Sequence, residues 1–170
     1  MESGRAVGIG VVRPTPRDVA VASLHEHGPV LLAAARMMVL DEDEAQDLVQ
    51  ETFEIALRRI DTLREPRALR SWLLRIETRQ AFRVARRVRR LVRMEGNTLE
   101  LAAPDGGIGQ DSELREALMA LPARTRAAVA LHYLAELTVR ETAAALGVSD
   151  NTIKTQLKTG LMRLREVFEP

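Results

Sequence analysis

Residues 138–158 read TVRETAAALGVSDNTIKTQLK, and this stretch decides the architecture of the C-terminal half. Thr138 and Glu141 stand at T-x-x-E spacing, so hydroxyl and carboxylate can each satisfy an orphan amide where a helix starts. Ala143 is small at the place where a second helix must come close. Gly147 takes a positive φ at little cost and ends the first helix. Ser149 is a good N-cap for the next one. Ile153, Leu157, Leu161 and Leu164 give that second helix a single apolar stripe. Two short helices joined by a tight glycine turn form a helix-turn-helix. In that motif the second helix enters the DNA major groove with its N-terminal residues against base edges. The residues so placed are Asp150, Asn151, Lys154, Thr155 and Lys158. Lys154 and Lys158, one turn apart, suit phosphate or guanine, and Asn151 suits adenine. The competing reading is a helical hairpin inside an ordinary all-α protein.

Outward from this motif, helical periodicity continues in both directions. Residues 113–168 carry three or four short helices. Before them, residues 94–112 lose periodicity and hold Pro104, Gly106, Gly107 and Gly109, the composition of a flexible linker. It is also acidic, with Glu95, Glu100, Asp105 and Asp111 and no base after Arg93. Ala45, Leu48, Val49, Thr52, Ala56 and Ile60 form one buried helical stripe, which leaves Asp47, Gln50, Glu51 and Glu54 together on the outside. Residues 61–71, with Pro66 inside, interrupt the helix. Trp72, Leu73, Ile76, Ala81, Phe82 and Ala85 restore it, and Trp72 and Phe82 read as core anchors. Val19 to Leu40 is also helical in pattern, and residues 1–17 read as a mobile tail. No period-2 alternation occurs. The expectation is an all-α protein of two small helical domains, residues 18–93 and 113–170, joined by a flexible linker.

The net charge of +1 hides segregation. From Asp41 to Glu54 there are seven acids and no base; from Arg67 to Arg93 there are ten arginines against Glu77 alone. Such separation implies two surfaces for two partners, and dense arginine is suited to phosphate. Each run has a plainer reading: acids at a helix start favour the macrodipole, and arginine stems can cover apolar surface. Cysteine is absent, which excludes disulfides and thiolate chemistry. His25, His27 and His132 lack carboxylates at ligand spacing, and no nucleophile–base pair or phosphate-cradling glycine loop is present. No metal, cofactor or catalysis is expected. No apolar run reaches the ~20 residues that span a bilayer, so membrane insertion is not expected and the cytoplasm is the expected location.

These segments together resemble the sigma factor family, extracytoplasmic-function group. DEDEAQDLVQETFEIALRRI (41–60) is similar to the polymerase-docking helix of region two. SWLLRIETRQAFRVARR (71–87) is similar to the helix that melts and reads the minus-ten element. LREALMALPARTRAAVALHYLAELTVRETAAALGVSDNTIKTQL with LMRLRE resembles region four, which reads the minus-thirty-five element. The resemblance covers about residues 20–92 and 113–168. It implies that Asp47, Gln50, Glu51 and Glu54 grip core RNA polymerase. It implies minus-ten contacts for Arg64, Arg67, Arg70, Trp72, Arg75, Arg79, Arg83, Arg86 and Arg87, with loop 61–70 capturing a flipped base. In region four it adds Arg140, Thr152 and Gln156 to the groove-facing set. It implies three partners: core RNA polymerase, promoter DNA and an inhibitory anti-sigma factor. Departures stand at Leu69, where the family has an aromatic residue, and at Arg79 and Arg83, where it has Asn and Asp. Asn151, Gln156 and Thr159 replace a glycine and two arginines, and Gly160 lies inside the recognition helix at a cost of about 1 kcal/mol relative to alanine.

Two other functions compete. A stand-alone helix-turn-helix regulator would bind duplex without polymerase. A sigma mimic would only sequester an anti-sigma protein, and would be expected to lose the arginine face.

Overall fold

The computed structural model describes residues 15–39, 41–95 and 112–168, with the side chains of Pro16, 87–95 and Ser112 left aside. Residues 1–14, the 96–111 stretch of the linker and the Arg87 side chain lie outside the described residues. Among the described residues the regular structure is all helical, with short connecting turns and no strand. Its helices are α1 (Pro16–Ser23), α2 (Gly28–Met38), α3 (Glu42–Arg59), α4 (Leu69–Glu95), α5 (Ser112–Met119), α6 (Ala123–Val129), α7 (Val139–Leu146) and α8 (Asp150–Phe168).

The first helix starts earlier than its apolar pattern suggests. Thr15 and Asp18 make a reciprocal capping box, Thr15 N–H to Asp18 Oδ2 at 2.8 Å and Asp18 N–H to Thr15 Oγ1 at 3.2 Å. That T-x-x-D signal straddles the end of the stretch read as a tail, residues 1–17. The periodic run from Val19 to Leu40 is not one helix either. A 3-10 turn at Leu24–His27 re-aims the chain before Gly28-Pro29 opens α2.

In the N-terminal half α2, α3 and α4 pack against one another. The α3 stripe follows its spacing with one exception: Ala45, Leu48, Thr52, Ala56 and Ile60 are buried, while Val49 is half-buried at the margin of the core. The α4 stripe differs from the expected one. Leu69, Leu73, Leu74, Glu77, Thr78 and Ala81 are buried, while Trp72, Ile76 and Phe82 sit at its margin. Glu77, the lone acid among the arginines, is fully buried.

In the C-terminal half α6 and α7 pack on α8, and α5 packs on both α6 and α8. A π-helical turn, Ala130–Leu134, carries the chain out of α6. The helix-turn-helix forms as its residues dictate. The Thr138–Glu141 capping box is complete, Gly147 takes φ 67, and Thr152 N–H donates to Ser149 Oγ at 3.2 Å. Gly160 has a packing reason that outweighs its helix cost: a Cβ there would lie 2.9 Å from Val129 Cγ2 and 3.1 Å from Thr125 Cγ2. The glycine lets α6 close on α8.

The halves do not stand apart. α4 packs on α7 and α2 packs on α6, and one apolar cluster runs from Leu31, Leu73 and Leu74 through Leu131 to Ile153.

Candidate polymerase and promoter interfaces

The acidic helix is only partly free for a partner. Asp41 caps α3 through Glu44 N–H at 3.0 Å, and Glu42, Asp43 and Glu44 occupy its first turn, where negative charge favours the macrodipole. Glu42 is taken by Arg36, whose Nε donates at 2.8 Å. That pairing holds the Glu42 carboxyl below the usual carboxylate range. What remains outward is Asp47, Gln50 and Glu54, exposed, with Glu51 half-buried beside them. Glu54 meets Arg58 one turn on at 3.7 Å, an exposed pair of small worth.

Along α4, Arg75, Arg79, Arg83 and Arg86 are exposed. Arg79 and Arg83 line a groove of about 460 Å³ with Arg58 and Arg59 from α3, two arginines that the sequence reading did not nominate. Arg67 is exposed and pairs with Glu65 at 2.6 Å, and Arg64 is exposed. Trp72 is half-buried. Its indole forms part of a cavity of about 330 Å³ with Thr62, Leu63, Arg64, Ala68 and Arg75. Arg70 reaches across to the C-terminal half, Nη1 to Glu136 Oε2 at 3.3 Å.

On α8, Asp150, Asn151, Thr152, Lys154, Thr155 and Lys158 are exposed while Ile153, Leu157 and Gly160 are buried, so one face is available to a groove. Arg140 is exposed at the start of α7. Gln156 is turned partly inward, with its Oε1 enclosed and lacking a protein partner, and it does not share that face. Thr152 and Thr155 also have local work: the Thr152 hydroxyl bonds Ser149 Oγ at 2.9 Å, and Thr155 Oγ1 donates to Asn151 O at 3.0 Å. Among the described residues no cluster of metal-ligating side chains occurs, and no helix is long and apolar enough to cross a membrane.

Two small helical domains carrying an acidic helix, an arginine helix and a helix-turn-helix define a two-domain DNA-binding initiation factor. Residues 24–91 match the family described as Sigma-70 region 2, and residues 111–164 match Sigma-70, region 4. The chain is 30% identical to the RNA polymerase sigma factor SigV of Bacillus subtilis over 90% of its own length and 93% of the relative's. It is 33% identical to an RNA polymerase sigma-E factor of Streptomyces coelicolor, covering 80% and 78%. Its fold matches the sigma factor RpoE of Bartonella quintana, solved in complex with the anti-sigma factor NepR. That match has a TM-score of 0.77 and 27% identity, over 87% of this chain and 95% of that one. The chain belongs to the sigma-70 family, in its extracytoplasmic-function group, and is a transcription initiation factor rather than an enzyme.

Proposed function

We propose that Asp47, Gln50, Glu51 and Glu54 form the surface by which this chain docks on core RNA polymerase. Arg64, Arg75, Arg79, Arg83 and Arg86 with Trp72 engage the minus-ten element, and Arg140, Asp150, Asn151, Lys154, Thr155 and Lys158 engage the minus-thirty-five element. The observation that carries this reading is charge segregated between two packed helices: exposed acids on α3, exposed arginines on α4. Extruding a base costs a few kcal/mol, which docking on polymerase would supply. By analogy with the Bartonella quintana protein, an anti-sigma factor holds the chain inactive until it is released, and the work is done where the polymerase is, in the cytoplasm. The region-two match over residues 24–91 weighs against a stand-alone regulator, and the retained arginine face weighs against a mimic.

The test is run-off transcription from a promoter library with purified core enzyme. Selective initiation only when the chain is added supports the reading. Duplex binding without polymerase, and no initiation with it, rejects the reading.

A further inference from the structure

We propose that the groove between α3 and α4 is a binding site for a compact oligophosphate, either inorganic or the phosphate tail of a nucleotide. The inference does not depend on the assignment of α4 to the minus-ten element. Arg58 and Arg59, in the last turn of α3, and Arg79 and Arg83, in the middle of α4, line one volume of about 460 Å³. Sites that hold small molecules occupy roughly 300–1,000 Å³. Among the described residues that line the groove Glu51 is the only acid. Four guanidinium groups therefore stand against one carboxylate.

The fold itself compensates little of this charge. Arg83 pairs with Glu51 at 2.9 Å and Arg58 with Glu54 at 3.7 Å, both at the surface, where such pairs are weak. Arg59 and Arg79 pair with no carboxylate among the described residues. A plainer account covers half of the arrangement. Arg58 and Arg59 sit at the C-terminal end of α3, where cations favour the macrodipole, and their stems can cover the apolar floor. Arg79 and Arg83 have no such reason. They lie mid-helix, one turn apart, where like charges repel, and each also faces the cations of α3. An anion in the groove relieves both repulsions.

The lining side chains select the ligand. A guanidinium is a planar fork of donors that meets two phosphate oxygens at once, and it keeps its charge at every physiological pH. Four forks suit an anion with several phosphates in series better than a single phosphate. Ile55 and Ile76 form a half-buried apolar floor with the Gln80 side chain beside it, a surface on which a ribose or base can rest. A continuous nucleic-acid strand fits less well. Of the exposed α4 arginines 75, 79, 83 and 86, only the middle pair lines the groove, while Arg75 belongs to the separate Trp72 cavity. A strand running through the groove would also meet the Glu51 carboxylate. The arginines thus converge on one volume instead of marking a track.

Calorimetric titration of the full-length chain with tripolyphosphate, at low and fixed ionic strength, tests the site. One saturable site is expected. Arg58→Gln with Arg59→Gln should weaken it roughly fivefold or more. Both residues are exposed, so the melting temperature should be unchanged. Arg163→Gln with Arg165→Gln removes the same charge from exposed positions on α8, and should alter affinity by less than about twofold. Orthophosphate at the same ionic strength should bind about tenfold more weakly than tripolyphosphate. A nucleoside triphosphate titrated in parallel separates the two sources: tighter binding than tripolyphosphate identifies a nucleotide, and equal or weaker binding an inorganic chain. Absence of saturable binding overturns the proposal. So does an equal loss in the two double variants, which would report overall charge alone. A random-sequence single-stranded oligonucleotide provides the last arm. If Arg58→Gln with Arg59→Gln weakens it as much as tripolyphosphate, and tripolyphosphate does not displace it, the groove is a strand path and the small-ligand proposal falls. If the chain initiates nothing with core polymerase, the functional assignment fails, while the titration still reports the groove.

Discussion

Arg83 Nη2 lies 2.9 Å from Glu51 Oε1, tying α4 to α3 across 32 residues. The proposed DNA face and the proposed polymerase face therefore share a residue pair and are not electrically independent. Glu51 is half-committed within the fold, whereas Asp47 and Gln50 are fully outward. Asp47→Lys with Gln50→Lys should weaken core-polymerase binding at least tenfold and leave the melting temperature unchanged. Glu51→Lys should weaken binding too, but it places a third cation beside Arg83 and Arg79 and should lower the melting temperature by a few degrees. Pull-down with core enzyme and thermal unfolding of the free chain check both. Unchanged binding by the double variant would remove α3 from the docking surface.

Glu77 is the residue most at odds with its surroundings. Both carboxylate oxygens are buried without a protein partner, and burial pushes its carboxyl well above the usual carboxylate range. The folded protein therefore keeps the Glu77 proton to higher pH than the unfolded chain, whose carboxyl ionises around the ordinary 4.5. The native state then binds the extra proton, so this group makes stability fall as pH rises from there toward its raised native value. Glu77→Gln should flatten that fall. Glu77→Leu should raise stability by about 1–3 kcal/mol, the cost of an unsatisfied buried polar group. Urea titrations at several pH values measure both, and an identical pH slope for Glu77→Gln would show that Glu77 is not the source.

The helix-turn-helix was legible because every device in it is local: a cap, a small residue, a glycine turn and a second cap within twelve positions of Thr138. The α3 stripe was legible for the same reason. Glu77 occupies a stripe position, one turn from Leu73, yet its charge argued for the surface. Arg126 reads as one more surface cation; only tertiary packing brings Met37, 89 residues earlier, to its Nε. The contact between the two halves depends on such distant pairs, Arg70 with Glu136 and Arg124 with Phe82. No periodicity encodes them, so the packing of the two domains on each other was not legible in the sequence. Gly160 looked like a penalty because the partner that needs it, Val129, lies on another helix.

Gly160→Ala sets two effects against each other. Alanine gains about 1 kcal/mol of helix propensity. Its Cβ would press to 2.9 Å on Val129 Cγ2, a short β-branched side chain with one favoured rotamer in a helix. Overpacking of that kind costs about 1–3 kcal/mol, so the substitution should lower the melting temperature. Val129→Ala in the same chain should recover part of the loss by making room. A higher melting temperature for Gly160→Ala alone would mean that α6 and α8 are not this close.

Lys154 and Lys158 are the only lysines in the chain, both exposed on α8 one turn apart. Asp150 at the N-terminus of that helix would repel phosphate, so the two ammonium groups must provide the local attraction. Each neutralised phosphate releases condensed counterions, and the slope of log affinity against log salt changes by about 0.9 for each. Lys154→Ala and Lys158→Ala should each weaken promoter binding by the polymerase complex. Each should also flatten that slope by about one unit if its ammonium sits on a phosphate. A lysine that reads a guanine edge behaves differently: its removal leaves the slope nearly intact and relaxes preference at one base pair, about 1–3 kcal/mol of discrimination. Measuring affinity across a salt series, on a cognate site and on single-base variants, separates the two roles. If neither lysine moves the slope or the base preference, α8 does not lie in the groove with this face.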